Sequence, residues 1–481
     1  MHSRIRARSI GRTSGGVPDP ADLFVALFGG GGDAVWLDAG PDAEEGRSIV
    51  AGGSLSATYS VADGRVTARN AGRETLRDGT LIDFVRSDLA AREVRLRNSG
   101  FALGWAGWLG YESGAAALGV PVGREVGHAP TADAAMLFLD RAVVVDHERD
   151  AMELIWLQDG DDGADPPWLD ETLAVIASCG GAAARYSDAH PMPDHPAGAR
   201  WRHDDAEYLG MIHACQEAIH AGDAYQLCLT NRAEATTEAD PLAVHLRLRR
   251  SSPAHHGGFL RIGADALISS SPEQFLAVSP DGRVRTKPIK GTRARGSTVA
   301  RDVELRAELE ASEKERAENV MIVDLMRNDL GRVCAVGSIE VRHLLAVESY
   351  AQVHQLVSTV EGRLAEGRTA LDAVEACFPA GSMTGAPKLS AMRILAGLEG
   401  GPRGIYAGCF GYLGLDGSAD LAMVIRSIVM NSGRVVIGAG GGITALSDPR
   451  EELEEVRIKA RALFAAAGLE PAGNGSGPVN V

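Results

Sequence analysis

Between Arg283 and Gly296 the chain carries Arg283, Arg285, Lys287, Lys290, Arg293 and Arg295, and no acid. Such a block is either a solvated basic loop or a site for an anion. Lys290 sits between Pro288-Ile289 and Gly291-Thr292, and Gly291 lets backbone come close to whatever the lysine touches. Neighbouring cations disfavour an ammonium. The spacing therefore predicts a Lys290 of lowered pKa, a neutral amine able to act as a nucleophile. Glu273 follows Pro272 between two strand-like runs. It is either an edge-strand acid or, in an apolar setting, an acid with a raised pKa that can donate a proton.

Two pairs of acids share a spacing. Glu315 and Glu318 are three apart in a stretch that reads as one long helix from Val299 onward, and Glu452 and Glu455 repeat the interval. Residues three apart lie on one helix face. Each pair alone reads as a solvated face, whereas two pairs facing each other would hold a hard cation such as Mg2+. Lys459 follows Glu455 by four residues, as an ion-pair partner or a substrate contact. Gly438-Ala-Gly-Gly-Gly442 reads as a loop between a strand-like run and a helix starting near Asp448. Its N–H groups would form either an anion nest or a tight turn. Gln226, His354, Tyr406 and Arg426 are polar residues in apolar or glycine-rich stretches, and Thr384 lies in the hydroxyl-bearing segment Phe378 to Lys388. Each alone fits a satisfied packing role equally well. Arg426, read on an alternating strand, has the donors to clamp a carboxylate.

The elements that must position these groups differ between halves. From Pro20 to Ser178 the chain reads as short strands (Ala34 to Asp38, Ser56 to Val61, Arg65 to Ala68, Ala142 to Asp146, Met152 to Trp156) with helices over Thr80 to Ala91 and Trp168 to Ser178. Phe101 to Gly114 mixes glycines with Trp105, Trp108 and Tyr111, which predicts close packing of backbone on aromatics. This half offers no catalytic constellation. Residues 1–19 read as a disordered tail, 20–181 as one half, 182–200 as a Pro- and Ala-rich linker, 201–468 as the catalytic region and 469–481 as a second disordered tail. A helix is expected from Asp204 to Ala221, stopped by Gly222.

Composition narrows the class. Lys plus Arg number 48 and Asp plus Glu 64, a net charge of −16. No broad basic face for nucleic acid is expected, and no apolar run reaches the ~20 residues of a membrane span. Six scattered cysteines, with no C-x-x-C, suggest neither a zinc site nor a disulfide framework and fit a reducing, cytoplasmic address.

Taken together and in order, these stretches resemble the chorismate-utilising enzymes, the family of anthranilate synthase component I, aminodeoxychorismate synthase component I and isochorismate and salicylate synthases. The motifs are Gly222-Asp-Ala-Tyr-Gln226, Ser270-Ser-Pro-Glu273, Pro288-Ile-Lys-Gly-Thr-Arg293, Ala317 to Asp329, Gly385-Ala-Pro-Lys388 and Gly440-Gly-Gly-Ile443, with Trp36-Leu-Asp38 and Gly107 to Glu112 as looser matches. The resemblance implies an α+β fold of two packed, mostly antiparallel sheets surrounded by helices, with the site in the cleft between sheets and the two halves interleaved. It implies Mg2+ held by Glu315, Glu318, Glu452 and Glu455. It implies substrate contacts at Gln226, Thr292, His354, Thr384, Tyr406, Arg426, Gly440, Gly441, Gly442 and Lys459. Glu273 would be the general acid and Lys290 the covalent nucleophile. Gln226 stands where water-adding members carry lysine, and Lys290 where anthranilate-forming members carry alanine. That combination resembles the branch that aminates chorismate at C4, toward p-aminobenzoate and folate. The alternatives are anthranilate formation and a C4-aminating enzyme of specialised metabolism. No glutaminase elbow is found in the sequence, so the resemblance implies ammonia from a separate glutamine amidotransferase subunit. Cys228, where relatives often carry asparagine, and Lys287, in place of a common arginine, depart from the pattern.

Overall fold

In the computed structural model, residues 3–11, 16–97, 100–123, 131–160, 165–193, 195–350 and 353–471 are described. The strand Ala34–Asp38 shows why this sequence builds layers. Val35 and Leu37 face one side, where they join Ile49, Trp108, Leu260 and Phe410, while Ala34 and Trp36 face the other with Phe24 and Phe259. Alternation puts successive side chains on opposite faces, and both faces here are apolar, so both must be covered. Among the described residues the result is two sheets, of 14 and 12 strands, packed face to face, with helices on their outer faces. Almost all strand pairs are antiparallel; Ser3–Ile10 with Val94–Arg95 and Ala197–Trp201 with Leu469–Pro471 are parallel.

The two halves of the chain are woven together. In the larger sheet Ala34–Asp38 pairs with His256–Ile262, and in the smaller Gly104–Leu109 pairs with Cys409–Gly414. Gly104 and Gly107 explain the aromatic-glycine stretch. A Cβ on Gly104 would lie 2.3 Å from the Leu413 carbonyl oxygen, and one on Gly107 would lie 1.9 Å from that of Ala135. The expected helices form as Leu81–Ala91, capped by Thr80, Trp168–Ser178 and Asp205–His220, capped by Asp204. No helix among the described residues is long and apolar enough to cross a membrane.

Five expectations are corrected. The stretch expected to be a disordered tail contains the strand Ser3–Ile10, paired in register along Ala151–Asp159. Its alternation of arginines with Ile5 and Ala7 suits a strand: Ile5 is buried and Arg6 donates to Gln158. The expected linker contains the helix Ala182–Ala189 and most of the strand Ala197–Trp201. Alanine favours helix, and the Asp22 carboxylate accepts the Gly181 and Ala183 N–H groups at the helix start. The long helix from Val299 is two, Val299–Ala311 and Glu313–Gly331, broken at Ser312, whose ψ of 106° is extended. The glycine cluster is a strand: Arg434–Ile443 runs straight through it, paired with Gln226–Thr236. Of the second expected tail, Leu469–Pro471 form a short strand and 472–481 lie outside the described residues.

Candidate active site

Glu273 occupies a two-residue crossover from Asp265–Ser271 in the larger sheet to Gln274–Val278 in the smaller. Arg426 lies on the reverse crossover, between Ala419–Met423 and Ser427–Asn431. It is a bend residue with a φ of 51°, not part of an alternating strand as expected. Lys290 lies on Ile289–Ala294 of the smaller sheet and the glycine strand lies in the larger. The cleft is therefore built where strands pass between sheets, and residues distant in sequence meet there.

The glycines are there for proximity. A Cβ on Gly438 would lie 2.1 Å from the Tyr406 ring, one on Gly442 2.3 Å from Gln226 Nε2, and one on Gly441 3.0 Å from Glu452 Oε2. Their backbone is extended, so they form no nest. They do leave an open edge: the neighbour Ser427–Asn431 pairs only as far as Ile437. Thr230, opposite Gly440, gives its N–H to Glu399. That pair thus exchanges no ladder bonds, and the N–H groups of Gly440 and Gly442 point away from Gln226–Thr236. The Gly440 carbonyl accepts from Lys459 Nζ at 2.8 Å.

Lys290 departs from its expectation in charge. Burial alone would lower its pKa, but Glu318, with Glu273 and Glu455, holds it above the usual lysine range. The cations expected to depress it are spent elsewhere: Lys287 pairs with Glu348, Arg293 with Glu315 and Arg295 with Asp302, while Arg285 is exposed. Lys290 is an ammonium facing carboxylates. At Glu273, burial pushes the carboxyl up to about 7, and Lys290 together with a Ser382 hydrogen bond pulls it only partly back.

The four glutamates do not form one cluster, and among the described residues no three His, Cys, Asp or Glu side chains are gathered as a metal group. Glu315 is turned onto Arg293 in a two-pronged pair at 2.8 and 3.3 Å. Glu452 accepts from Lys314 at 2.8 Å and Ser447 at 2.7 Å. Burial would raise Glu455, but its 2.6 Å pair with Lys459, with Lys314 and Lys290 nearby, holds it low. Glu318 alone makes neither ion pair nor hydrogen bond, and burial raises it; Lys290 and Lys314 pull it back, and Glu452 and Glu455 push it further up. A buried carboxylate crowded by two others has the chemistry of a hard-cation site. Glu318, Glu455 and Glu452 act on one another, so a hard cation would use these three only by displacing Lys459 from Glu455 and Lys314 from Glu452, while Glu315 is held by Arg293.

Arg426 likewise lacks a counter-ion, and burial, partly offset by Tyr406 and Glu455, pulls its pKa below the ordinary value. Gln226 is buried with no partner for its Oε1. Other expected contacts are less available. Both His354 ring nitrogens are engaged, Nδ1 with Ser349 at 2.7 Å and Nε2 with Asp302 at 3.0 Å. The Thr384 hydroxyl donates to the Ala380 carbonyl at 3.2 Å, and Thr292 is exposed. Sequence reasoning missed Ser382 on Glu273, Lys314 on Glu452 and the buried charges Glu112, Glu399 and Arg403. The last group carried a signal: an acid and an arginine in the apolar, glycine-rich runs Gly110-Tyr-Glu112 and Pro402-Arg-Gly404.

A family model described as chorismate binding enzyme matches residues 34–465. An aminodeoxychorismate synthase of Streptomyces griseus is 43% identical over 459 residues, covering 93% of this chain and 62% of that protein. An anthranilate synthase component 1 of Mycolicibacterium smegmatis is 45% identical over 291 residues, covering 59% of this chain and 54% of that protein. The chain spans between half and two thirds of the length of the aminodeoxychorismate synthases it matches. The solved anthranilate synthase component I of Streptococcus pneumoniae superposes with a TM-score of 0.72 at 28% identity, covering 87% of this chain and 92% of that one.

Proposed function

Because this chain belongs to the chorismate-binding enzyme family, we propose that it converts chorismate and ammonia to 4-amino-4-deoxychorismate. The observation that carries the reading is the half-buried Lys290 acting on the buried Glu273, with Arg426 unpaired on the neighbouring crossover. The likeness to aminodeoxychorismate synthases, which runs over nearly the whole chain, supports it.

An arginine short of a counter-ion is suited to the enolpyruvyl carboxylate, with Tyr406 and the N–H groups of Gly440 and Gly442 as further donors. Glu318, Glu455 and Glu452 would hold Mg2+, which supplies positive charge for the ring carboxylate when bound. Gln226, Thr384 and Lys459 border the ring, and His354 steadies Ile289–Ala294 through its pairing with Arg293. One proton serves two needs. Lys290 must lose it to become a nucleophile, and Glu273, raised towards neutrality, must carry it to the departing C4 hydroxyl. The neutral amine then bonds to C2 as the ring double bonds shift and the hydroxyl leaves as water. Ammonia bonds to C4, the double bonds shift back, and the C2–lysine bond breaks, returning the free amine. Two allylic displacements thus replace one direct substitution. Ammonia would come from glutamine through an amidotransferase subunit, with free ammonium as its substitute in vitro.

The test incubates the chain with chorismate, Mg2+ and ammonium at alkaline pH and separates the products by mass and fluorescence. A 4-aminated product that disappears in Lys290→Ala supports the reading. Fluorescent anthranilate would assign the chain to the 2-aminating enzymes, and an unchanged product from Lys290→Ala would remove the lysine from the chemistry.

A further inference from the structure

The motif Gly107 to Glu112 lies in the half of the chain without catalytic groups, yet its last residue is buried against the site. Glu112 Oε1 accepts the Arg403 N–H at 2.7 Å and Oε2 the Gly404 N–H at 2.8 Å, while the Tyr111 N–H donates to the Gly404 carbonyl at 3.0 Å. These three bonds fix the start of the turn that carries Tyr406. The Arg403 guanidinium, itself buried, spends four donors on three other segments. Nε and one Nη pair with Glu399 at 2.8 and 2.7 Å, the same Nη reaches the Cys228 carbonyl at 2.9 Å, and the other reaches the Met383 carbonyl at 2.6 Å. Glu399 in turn accepts the N–H and hydroxyl of Thr230, both at 2.9 Å. The Tyr111 ring packs 4.3 Å from the guanidinium carbon.

We infer that Glu112 and Arg403 are positioning residues, which hold Tyr406, Met383-Thr384 and Gln226-Cys228 in one register around the substrate ring. The inference rests on the reading of the cleft as a chorismate site. Its basis is that the tied carbonyls belong to the segments that border the cleft. The Cys228 N–H donates to the Thr384 carbonyl at 2.9 Å, so fixing Met383 and Cys228 fixes Thr384 between them. Gln226 lies two residues before Cys228 on the same strand face. Tyr406 cannot relax towards the glycine strand, because its ring already fills the space of a Cβ on Gly438. None of these bonds is made to Lys290, Glu273 or the acid pairs themselves, so the device acts first on the segments that place chorismate and not on the incoming ammonia.

Arg403→Lys keeps the charge, but three donors on one nitrogen cannot span Glu399, Met383 and Cys228. Glu112→Gln keeps the shape but sets an NH2 group against one of two N–H donors. Both are compared with the wild type by thermal melting, by equilibrium dialysis with chorismate and by steady-state kinetics with ammonium. The expected result for folded variants is weaker chorismate binding, a raised KM for chorismate, kcat/KM down about 100-fold, and an unchanged KM for ammonium. A role in folding alone would lower the melting temperature and the active fraction, leaving both KM values as in the wild type; that result overturns the inference. If Arg403→Lys does not fold, the isosteric Glu112→Gln decides by the same readings. A wild type that binds chorismate without forming the 4-aminated product would sink the functional reading alone, and dialysis would still decide the positioning roles. A wild type that does not bind chorismate would sink both.

Discussion

At the residue scale the site is a problem of buried charge. Glu273 and Glu318 are buried and Lys290 and Arg426 half-buried, and among the described residues none of the four has a hydrogen-bonded counter-ion. Glu273 shows the consequence most plainly. Its carboxyl is raised from 4.5 to about 7, so between those values the folded state binds a proton that the unfolded state releases. Folding stability from this group therefore falls as pH rises from 4.5 to 7 and stays low above. The shift corresponds to about 3 kcal/mol at 1.36 kcal/mol per pKa unit. Glu273→Gln should thus raise the urea midpoint at pH 8, lose that advantage near pH 4.5, and abolish turnover. Equal midpoints at pH 8 would mean that Glu273 titrates as an ordinary exposed acid.

At the element scale, the glycines of Arg434–Ile443 exist for close approach rather than flexibility. Gly438→Ala would drive a methyl group into the Tyr406 ring. Overpacking of this kind costs about 1–3 kcal/mol, and the displaced ring should also weaken chorismate binding, both read by denaturation and dialysis. Gly210, on the exposed face of Asp205–His220, is the control, because a Cβ there meets nothing within 4 Å. Gly210→Ala should stabilise by about 0.5–1 kcal/mol and leave kinetics unchanged. The same contrast shows what sequence could not distinguish. A run of glycines reads alike as an anion loop or as a strand pressed on an aromatic ring, and only the neighbour decides.

At the scale of the whole molecule, the two halves of the sequence are not separable bodies. The inter-sheet core takes Val35, Ile49 and Trp108 from one half and Leu260, Phe410 and Val429 from the other. Residues 201–481 expressed alone should not fold cooperatively, because His256–Ile262 and Cys409–Gly414 would each lose a strand partner and half of that core. Co-expression with residues 1–200 should restore a single melting transition, measured by calorimetry. A soluble C-terminal fragment with its own sharp transition would contradict this.

By itself the sequence determined the strands and helices with strong periodicity, the nucleophile and acid candidates Lys290 and Glu273, and the family through motifs in a fixed order. These are local properties: side-chain alternation, capping residues and chemical type are written into short stretches of chain. Only the tertiary structure decided the charge states and the pairings. Lys290 reads as a lysine among cations, and those cations turn to Glu348, Glu315 and Asp302 while the lysine meets carboxylates. Glu315 and Glu318 share a helix face, yet one is held by Arg293 and the other is left unpaired. Electrostatic energy depends on distance and burial, and partners such as Arg293 and Glu315, 22 residues apart, or Arg403 and Glu112, 291 apart, acquire both only in the folded chain.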